Sequence, residues 1–298
     1  MGGGSFDPKS YAAFSATTRG KTVDEVYSSR GLDPSLSPLG VKVRESRDSA
    51  DNPNSTPLIV ALDVTGSMGM IADVIARTGL GVLFNEILDS KPIVDPHLMF
   101  MGVGDAHHDR APLQVSQFEA DNRIVEQLTK LWLEHGGGGN CSESYNLPWY
   151  FAAAHTVLDS MIKRGKRGYL FTVGDEEAPA AVTKAQIKTI IGDDLERDLS
   201  SLEMLEMAKR SYDVFHIIIE EGDWARQRPG PVFDSWTKLL GQNVVKLADH
   251  TKLAETIVSI IEVREGRDTS KLGTKYGTVV EEAVRHLPAG RKPALLGA

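Results

Sequence analysis

Apolar and polar positions divide the chain into three unequal stretches. Residues 1–55 are rich in Ser, Gly, Pro and Asp and show no sustained apolar period. Runs such as GLDPSLSP (31–38) and SADNPNS (49–55) read as loop, so this stretch is expected to be an arm lying on the main domain, with partner docking or assembly as its sharper role. From Pro57 the pattern becomes regular. LIVAL (58–62) is a continuous apolar run, the signature of a strand buried on both faces. Residues 69–88 then carry Ile71, Val74, Ile75, Leu80, Leu83, Phe84 and Ile87 at helical spacing.

The alternation continues. Strands are predicted at 98–103, 169–173, 214–219 and 244–247, with 113–115 as a short antiparallel partner of the second strand. Helices are predicted at 119–134, from Pro148 to about 164, and at 180–191, 199–210, 233–240 and 253–263. Uniformly apolar strands alternating with helices predict an α/β fold: a doubly wound, mostly parallel central sheet, helices on both faces and one short antiparallel edge strand. The domain boundaries that follow are an N-terminal polar arm (1–55), a central domain (56–265) and a tail (266–298), the last read as a surface appendage with one short helix near 278–286.

In such sheets ligands bind outside the carboxyl ends of the strands, so the chemistry is sought there. After the first strand comes DVTGSMG (63–69). Asp63, Thr65 and Ser67 alternate, so their oxygens can converge on one point. Hard divalent cations favour oxygen ligands; a helix N-cap formed by Ser67 is the plainer alternative. After the strand at 169–173, TVGDEE (172–177) puts Asp175 at the same sheet edge, where an acid beside a helix start is again the plainer reading. Between them, GGGGNCSESY (136–145) lets the backbone approach an ion closely and offers polar side chains. A phosphate nest is disfavoured there, because no Gly-Lys-Ser/Thr ending is present.

Composition narrows the classes. With 33 Lys+Arg against 41 Asp+Glu, the net charge is −8, a poor footprint for nucleic-acid binding. One cysteine, Cys141, excludes a disulfide framework or multi-Cys zinc site and is more readily a small filler than a nucleophile. No apolar run approaches transmembrane length, the N-terminus lacks a secretory pattern, and Phe6 stands where myristoylation needs Ser or Thr. No membrane association and a cytoplasmic location are the expectation. The loop GDAHHDR (104–110) follows the second strand; adjacent His107 and His108 point apart, so Asp105 supporting the main site is preferred to a second metal site. The remaining histidines read as structural or exposed, and no Gly-x-Ser-x-Gly elbow supports Ser–His–Asp chemistry.

These pieces, in this order, resemble the von Willebrand factor A (vWA) domain. LIVALDVTGSM is similar to its first strand and the Asp-x-Ser-x-Ser element of the metal-ion-dependent adhesion site (MIDAS), with Thr65 in place of the middle Ser. YLFTVGDEE resembles the strand and loop that supply the distal Asp, although the family reads Thr-Asp-Gly where this chain reads Thr-Val-Gly-Asp. HGGGGNCSES resembles the glycine-rich loop that offers a Thr; here Ser142 is the choice, with Asn140, Glu143 and Ser144 as alternatives. VVKLADHTKLAETIVSII looks like the last strand and helix, and the resemblance covers residues 57–264.

The resemblance implies a Rossmann-like vWA fold and a metal site of Asp63, Thr65, Ser67, Ser142 and Asp175, holding Mg²⁺ with Mn²⁺ or Ca²⁺ as alternatives. It also implies that the chain is no enzyme but a metal-dependent protein-binding module, its ion completed by an Asp or Glu of a partner protein. Intracellular relatives suggest an adaptor in a larger assembly, such as one beside a ring ATPase, by analogy alone. A structural subunit with a degenerate metal site is the alternative. A metal-dependent hydrolase is the third reading; it would need a general base from the His107/His108 loop or Glu143.

Overall fold

A computed structural model describes residues 4, 23–27, 29–68, 71, 80–134, 143–268, 270–288 and 290. Its centre is a six-stranded sheet ordered β10-β9-β6-β2-β3-β4. The strands are β2 (Thr56–Asp63), β3 (Pro96–Val103), β4 (Leu113–Val115), β6 (Gly168–Gly174), β9 (Tyr212–Ile219) and β10 (Val244–Leu247). All neighbours are parallel except β3 and β4, which are antiparallel. The expected doubly wound α/β architecture, including its antiparallel edge strand, is therefore present.

Successive residues of β2 feed opposite layers, as a strand's period of two requires. Leu58, Val60 and Leu62 join the layer made with helices Leu80–Ser90, Arg123–Leu128 and Leu253–Arg264. Ile59 and Ala61 join the layer made with helices Asn146–Ala154, Ser201–Ala208 and Pro229–Leu240. The whole of β2 is buried, which explains its unbroken apolar run.

Several helices are shorter than their periodicity predicts, each for a local reason. Within 119–134 only Arg123–Leu128 is helical. Residues 131–134 run alongside β4, where the Gln114 side chain donates to the Trp132 carbonyl (2.8 Å) and accepts from its N–H (2.9 Å). The helix expected from Pro148 to 164 starts at Asn146 and breaks after Ala154; β-branched Thr156 and Val157 enter β5 (Thr156–Leu158), which pairs in parallel with β1 (Arg44–Ser46). Helix Asp159–Arg164 then follows. Thr183 and Ser200 form capping boxes with Gln186 and Glu203, so these helices begin at Lys184 and Ser201. The residues before them pair antiparallel over two positions, β7 (Ala181–Val182) with β8 (Leu199–Ser200). Pro229 at the first helical position extends the helix expected at 233–240 backward to Pro229–Leu240. Residues 69, 70 and 72–79 of the helix expected at 69–88 lie outside the described residues.

The tail differs most from expectation. Helices Leu272–Tyr276 and Thr278–Val284 place Leu272, Tyr276, Val280, Val284 and Leu287 in the same core layer as helix Leu253–Arg264. It is not a surface appendage over this stretch. The arm also contributes: Leu36 is fully buried, and its carbonyl accepts the Val115 N–H at 2.7 Å, adding a contact at the β4 edge. Among the described residues no helix is long and apolar enough to cross a membrane.

Leu272→Ala is expected to cost about 2–5 kcal/mol, the range for emptying a buried leucine site, read as a lowered midpoint in urea unfolding. A surface appendage would change it by no more than about 0.5 kcal/mol.

Candidate metal-binding rim

The strand order reverses between β2 and β6. Chain progression runs outward to β3 and β4 on one side and to β9 and β10 on the other. The loops leaving β2 and β6 therefore diverge, opening a crevice at the carboxyl ends of these two strands. The register pairs Leu62 with Val173, so Asp63 and Gly174 come next on their strands and Asp175 lies one residue further on.

Four of the five anticipated ligands, Asp63, Thr65, Ser67 and Asp175, form one chain of polar contacts here. Asp63 Oδ1 accepts the Thr65 N–H (2.9 Å) and the Thr65 hydroxyl (2.6 Å). Thr65 Oγ1 and Ser67 Oγ lie 3.4 Å apart, and Ser67 Oγ donates to Asp175 Oδ1 at 2.8 Å. Asp175 Oδ2 accepts the Trp224 N–H at 2.9 Å. Asp63, Thr65 and Asp175 are buried; Ser67 is partly exposed. Ser142, Asn140 and Cys141 lie outside the described residues. Ser144, another alternative for the glycine-rich loop, is occupied elsewhere: its hydroxyl accepts the Ala106 N–H at 2.9 Å, and its own N–H donates to the Gly104 carbonyl at 3.1 Å.

Side chains that the sequence reading did not place in the site complete it. Tyr145 donates its hydroxyl to Asp63 Oδ2 at 2.6 Å. Its ring packs edge-on against His216 and Trp236 (5.2 and 5.4 Å between centroids), and Trp236 stacks on His216 at 3.4 Å. Burial holds His216 neutral, and its Nδ1 pairs with the Thr172 hydroxyl at 2.8 Å. Trp236 Nε1 donates to the Glu176 carbonyl at 2.8 Å. Gly174 is required at this point: a Cβ there would lie 2.0 Å from the Tyr145 hydroxyl oxygen. At Gly222 a Cβ would meet the Asp175 side chain at 2.3 Å.

Glu143 and Glu176 are also buried, and one carboxylate oxygen of each, Oε2, has no hydrogen-bond partner. Buried unpaired ions are costly, so such groups hold their protons instead. Burial, then the Asp63 and Asp175 charges, push the Glu176 carboxyl up to about 9. Glu143 moves the same way through burial and the charges of Asp63 and Glu176. Burial and Asp175 raise Asp63; burial also raises Asp175, against the hydrogen bonds from Trp224 and Ser67. Among the described residues no Lys, Arg or His pairs with any of these four acids. Asp105 is buried nearby and pairs with His108 Nδ1.

These donors fit a hard divalent cation: carboxylates and hydroxyls only, two oxygens without partners, and negative charge lacking a positive counterpart among the described residues. The acidic oxygens are spread along the rim rather than clustered. Among the described residues the one His/Asp/Glu trio with ligand atoms within 4.8 Å of one another is Glu221, Asp249 and His250, beyond β9 and β10. That trio is accounted for by hydrogen bonds: His250 Nδ1 meets Glu221 at 2.7 Å, and Asp249 accepts the Thr251 hydroxyl at 2.6 Å.

No family profile matches the chain, and no curated protein does. Among solved structures it is similar to the pilus adhesin SpaC of Lactobacillus rhamnosus GG in its open conformation, with a TM-score of 0.44 and 9% identity over 79% of this chain and 31% of the adhesin. A second SpaC structure gives 0.42 and 10% identity over 79% of this chain and 32% of the adhesin. A von Willebrand factor type A protein from Catenulispora acidiphila gives 0.37 and 13% identity over 80% of this chain and 52% of its own. The chain thus spans about a third of the adhesin's length and half of the Catenulispora protein's.

Two outcomes follow from this geometry. Gly174→Ala is expected to displace Tyr145 from Asp63 and cost about 1–3 kcal/mol, the usual penalty of overpacking, in urea unfolding. An unchanged midpoint would mean the contact yields without cost. In chelator, the contribution of Glu176 to folding stability is expected to be complete below roughly pH 4.3, the ordinary glutamate value, and to be lost as pH rises through about 9, because folded Glu176 holds its proton more tightly than the unfolded chain does. Melting temperatures across that range check it; Glu176→Gln should flatten the slope.

Proposed function

We propose that this chain is a protein-interaction module of the vWA kind, acting as an intracellular adaptor or assembly component. Its β2/β6 rim holds a divalent cation, Mg²⁺ first and Mn²⁺ or Ca²⁺ as alternatives. Asp63, Thr65, Ser67 and Asp175 would hold the ion, the glycine-rich loop would add one oxygen, and a partner's Asp or Glu would complete the shell. The observation carrying this reading is the chain of contacts from Asp63 through Thr65 and Ser67 to Asp175, largely buried at the switch point, with no cationic side chain among the described residues paired to it. Ser67, its partly exposed member, offers the approach from solvent.

A bound cation supplies a concentrated positive charge at this rim, able to attract an anionic oxygen from outside. The chain's own groups do the rest. Trp224 N–H and Tyr145 hydroxyl orient the two aspartates from behind, as supporting hydrogen bonds do around metal ligands. The displaced order Gly-Asp, in place of Asp-Gly, is compatible with the reading because Asp175 still reaches Ser67.

We read the module as non-catalytic. Glu143 holds its proton in the metal-free state, so it is not poised as a general base near neutral pH.

The test is a thermal-shift titration of the full chain with Mg²⁺, Mn²⁺ and Ca²⁺. An ion that binds only the folded state at a hundred times its Kd adds about 2.7 kcal/mol, a rise of several degrees. Asp63→Ala is expected to abolish that rise. A native chain that no ion stabilises, and that captures no acidic partner peptide in Mg²⁺ over chelator, would overturn the proposal.

A further inference from the structure

The glycine-rich loop is the one part of the rim whose contribution the hydroxyl-based reading leaves open, and the described residues at its end point to a different donor. We infer that Glu143 supplies the carboxylate by which this loop binds the cation, taking the place of a hydroxyl ligand. The inference rests on the cation-binding reading of the rim given above and refines its ligand set.

Three observations converge on Glu143. First, its carboxylate is only 1% exposed, and Oε2 has no hydrogen-bond partner. A carboxylate oxygen in that position is explained by a ligand more readily than by packing, because burying it unpaired is costly. Second, the residues that directly follow it are anchored to the rim. Ser144 N–H donates to the Gly104 carbonyl at 3.1 Å, Ser144 Oγ accepts from Ala106 at 2.9 Å, and Tyr145 donates its hydroxyl to Asp63 at 2.6 Å. Residues 144 and 145 are thus tied to the loop after β3 and to Asp63, and Glu143 directly precedes them. The Asp63 charge acts on Glu143 more strongly than that of any other acid. Third, the same anchoring uses up Ser144, removing one competing donor.

Glu176 carries the second unpartnered oxygen, but it follows Asp175 directly and so adds no third segment to the site. Glu143 does: with it, oxygens from the loops after β2 and β6 and from the segment before helix Asn146–Ala154 surround one rim. All are hard donors, the kind that suits Mg²⁺, Mn²⁺ or Ca²⁺.

The experiment is a calorimetric titration of the full-length chain with Mn²⁺ alone, for native protein, Glu143→Gln, Glu143→Asp and Asp63→Ala, with melting temperatures in chelator alongside. Glu143→Gln keeps shape and removes the anionic donor. It is expected to weaken Mn²⁺ binding on the order of tenfold or more without lowering the chelator melting temperature. Glu143→Asp, with the acid one methylene shorter, is expected to fall between Gln and native. Equal Mn²⁺ affinity in native and Glu143→Gln, with Asp63→Ala defective, would overturn the Glu143 assignment alone. Native protein that binds no Mn²⁺ would overturn it together with the cation-binding reading. Should Glu143→Gln fail to fold, Glu143→Asp decides: native-like affinity and melting with the shortened side chain would reject direct coordination.

Discussion

Burial of like charge at one rim of the sheet is the constraint around which this molecule is arranged. Asp63, Asp175, Glu143 and Glu176 are all removed from water at the carboxyl ends of β2 and β6. Their described partners are dipoles rather than cations: hydroxyls of Thr65, Ser67 and Tyr145 and the amide of Trp224. A hydrogen bond to a charged group contributes about 1.5–3 kcal/mol, while burying an ion costs several. The dipoles offset the cost at Asp63 and Asp175. They do not reach the free oxygens of Glu143 and Glu176, where burial wins and the proton stays on.

Such an arrangement needs support from the rest of the fold. The sheet provides it twice. Parallel register sets Asp63 and Asp175 within one residue of each other across adjacent strands, and the reversal of strand order keeps their loops from closing over one another. Beneath the rim, apolar layers on both faces supply the stability that the acids withdraw. The tail joins this support, since Leu272, Val280 and Leu287 seal the layer under helix Leu253–Arg264.

Much of this was legible in the residues. Unbroken apolar strands such as 58–62 announce burial on both faces, and their alternation with helices leads to the doubly wound sheet. Alternation of Asp63, Thr65 and Ser67 on a turn accords with the contacts that join their side chains. Helix ends were poorly legible, because periodicity does not register capping boxes or β-branched exits such as Thr183 and Thr156. The tail reads as an appendage because its apolar residues are diluted by Lys, Glu and Gly, and the groove beside β10 and helix Leu253–Arg264 gives them a core to join. Within the site, Glu176 reads as an ordinary loop acid and Glu143 as one of several alternatives in the glycine-rich loop: nothing local distinguishes a solvated glutamate from one enclosed by distant segments. Tyr145 had no signal either, since its contact with Asp63 spans 82 positions.

The aromatic stack under the rim gives the molecule an optical property. Trp236 lies face to face with His216, edge-on to Tyr145 and Trp149, and its indole N–H rests on the backbone of Glu176. An intrinsic fluorophore is thereby wired to the acid-bearing loop, where a change of charge alters the field across the indole. The chain carries its own built-in reporter of what happens at the crevice, with no dye to attach.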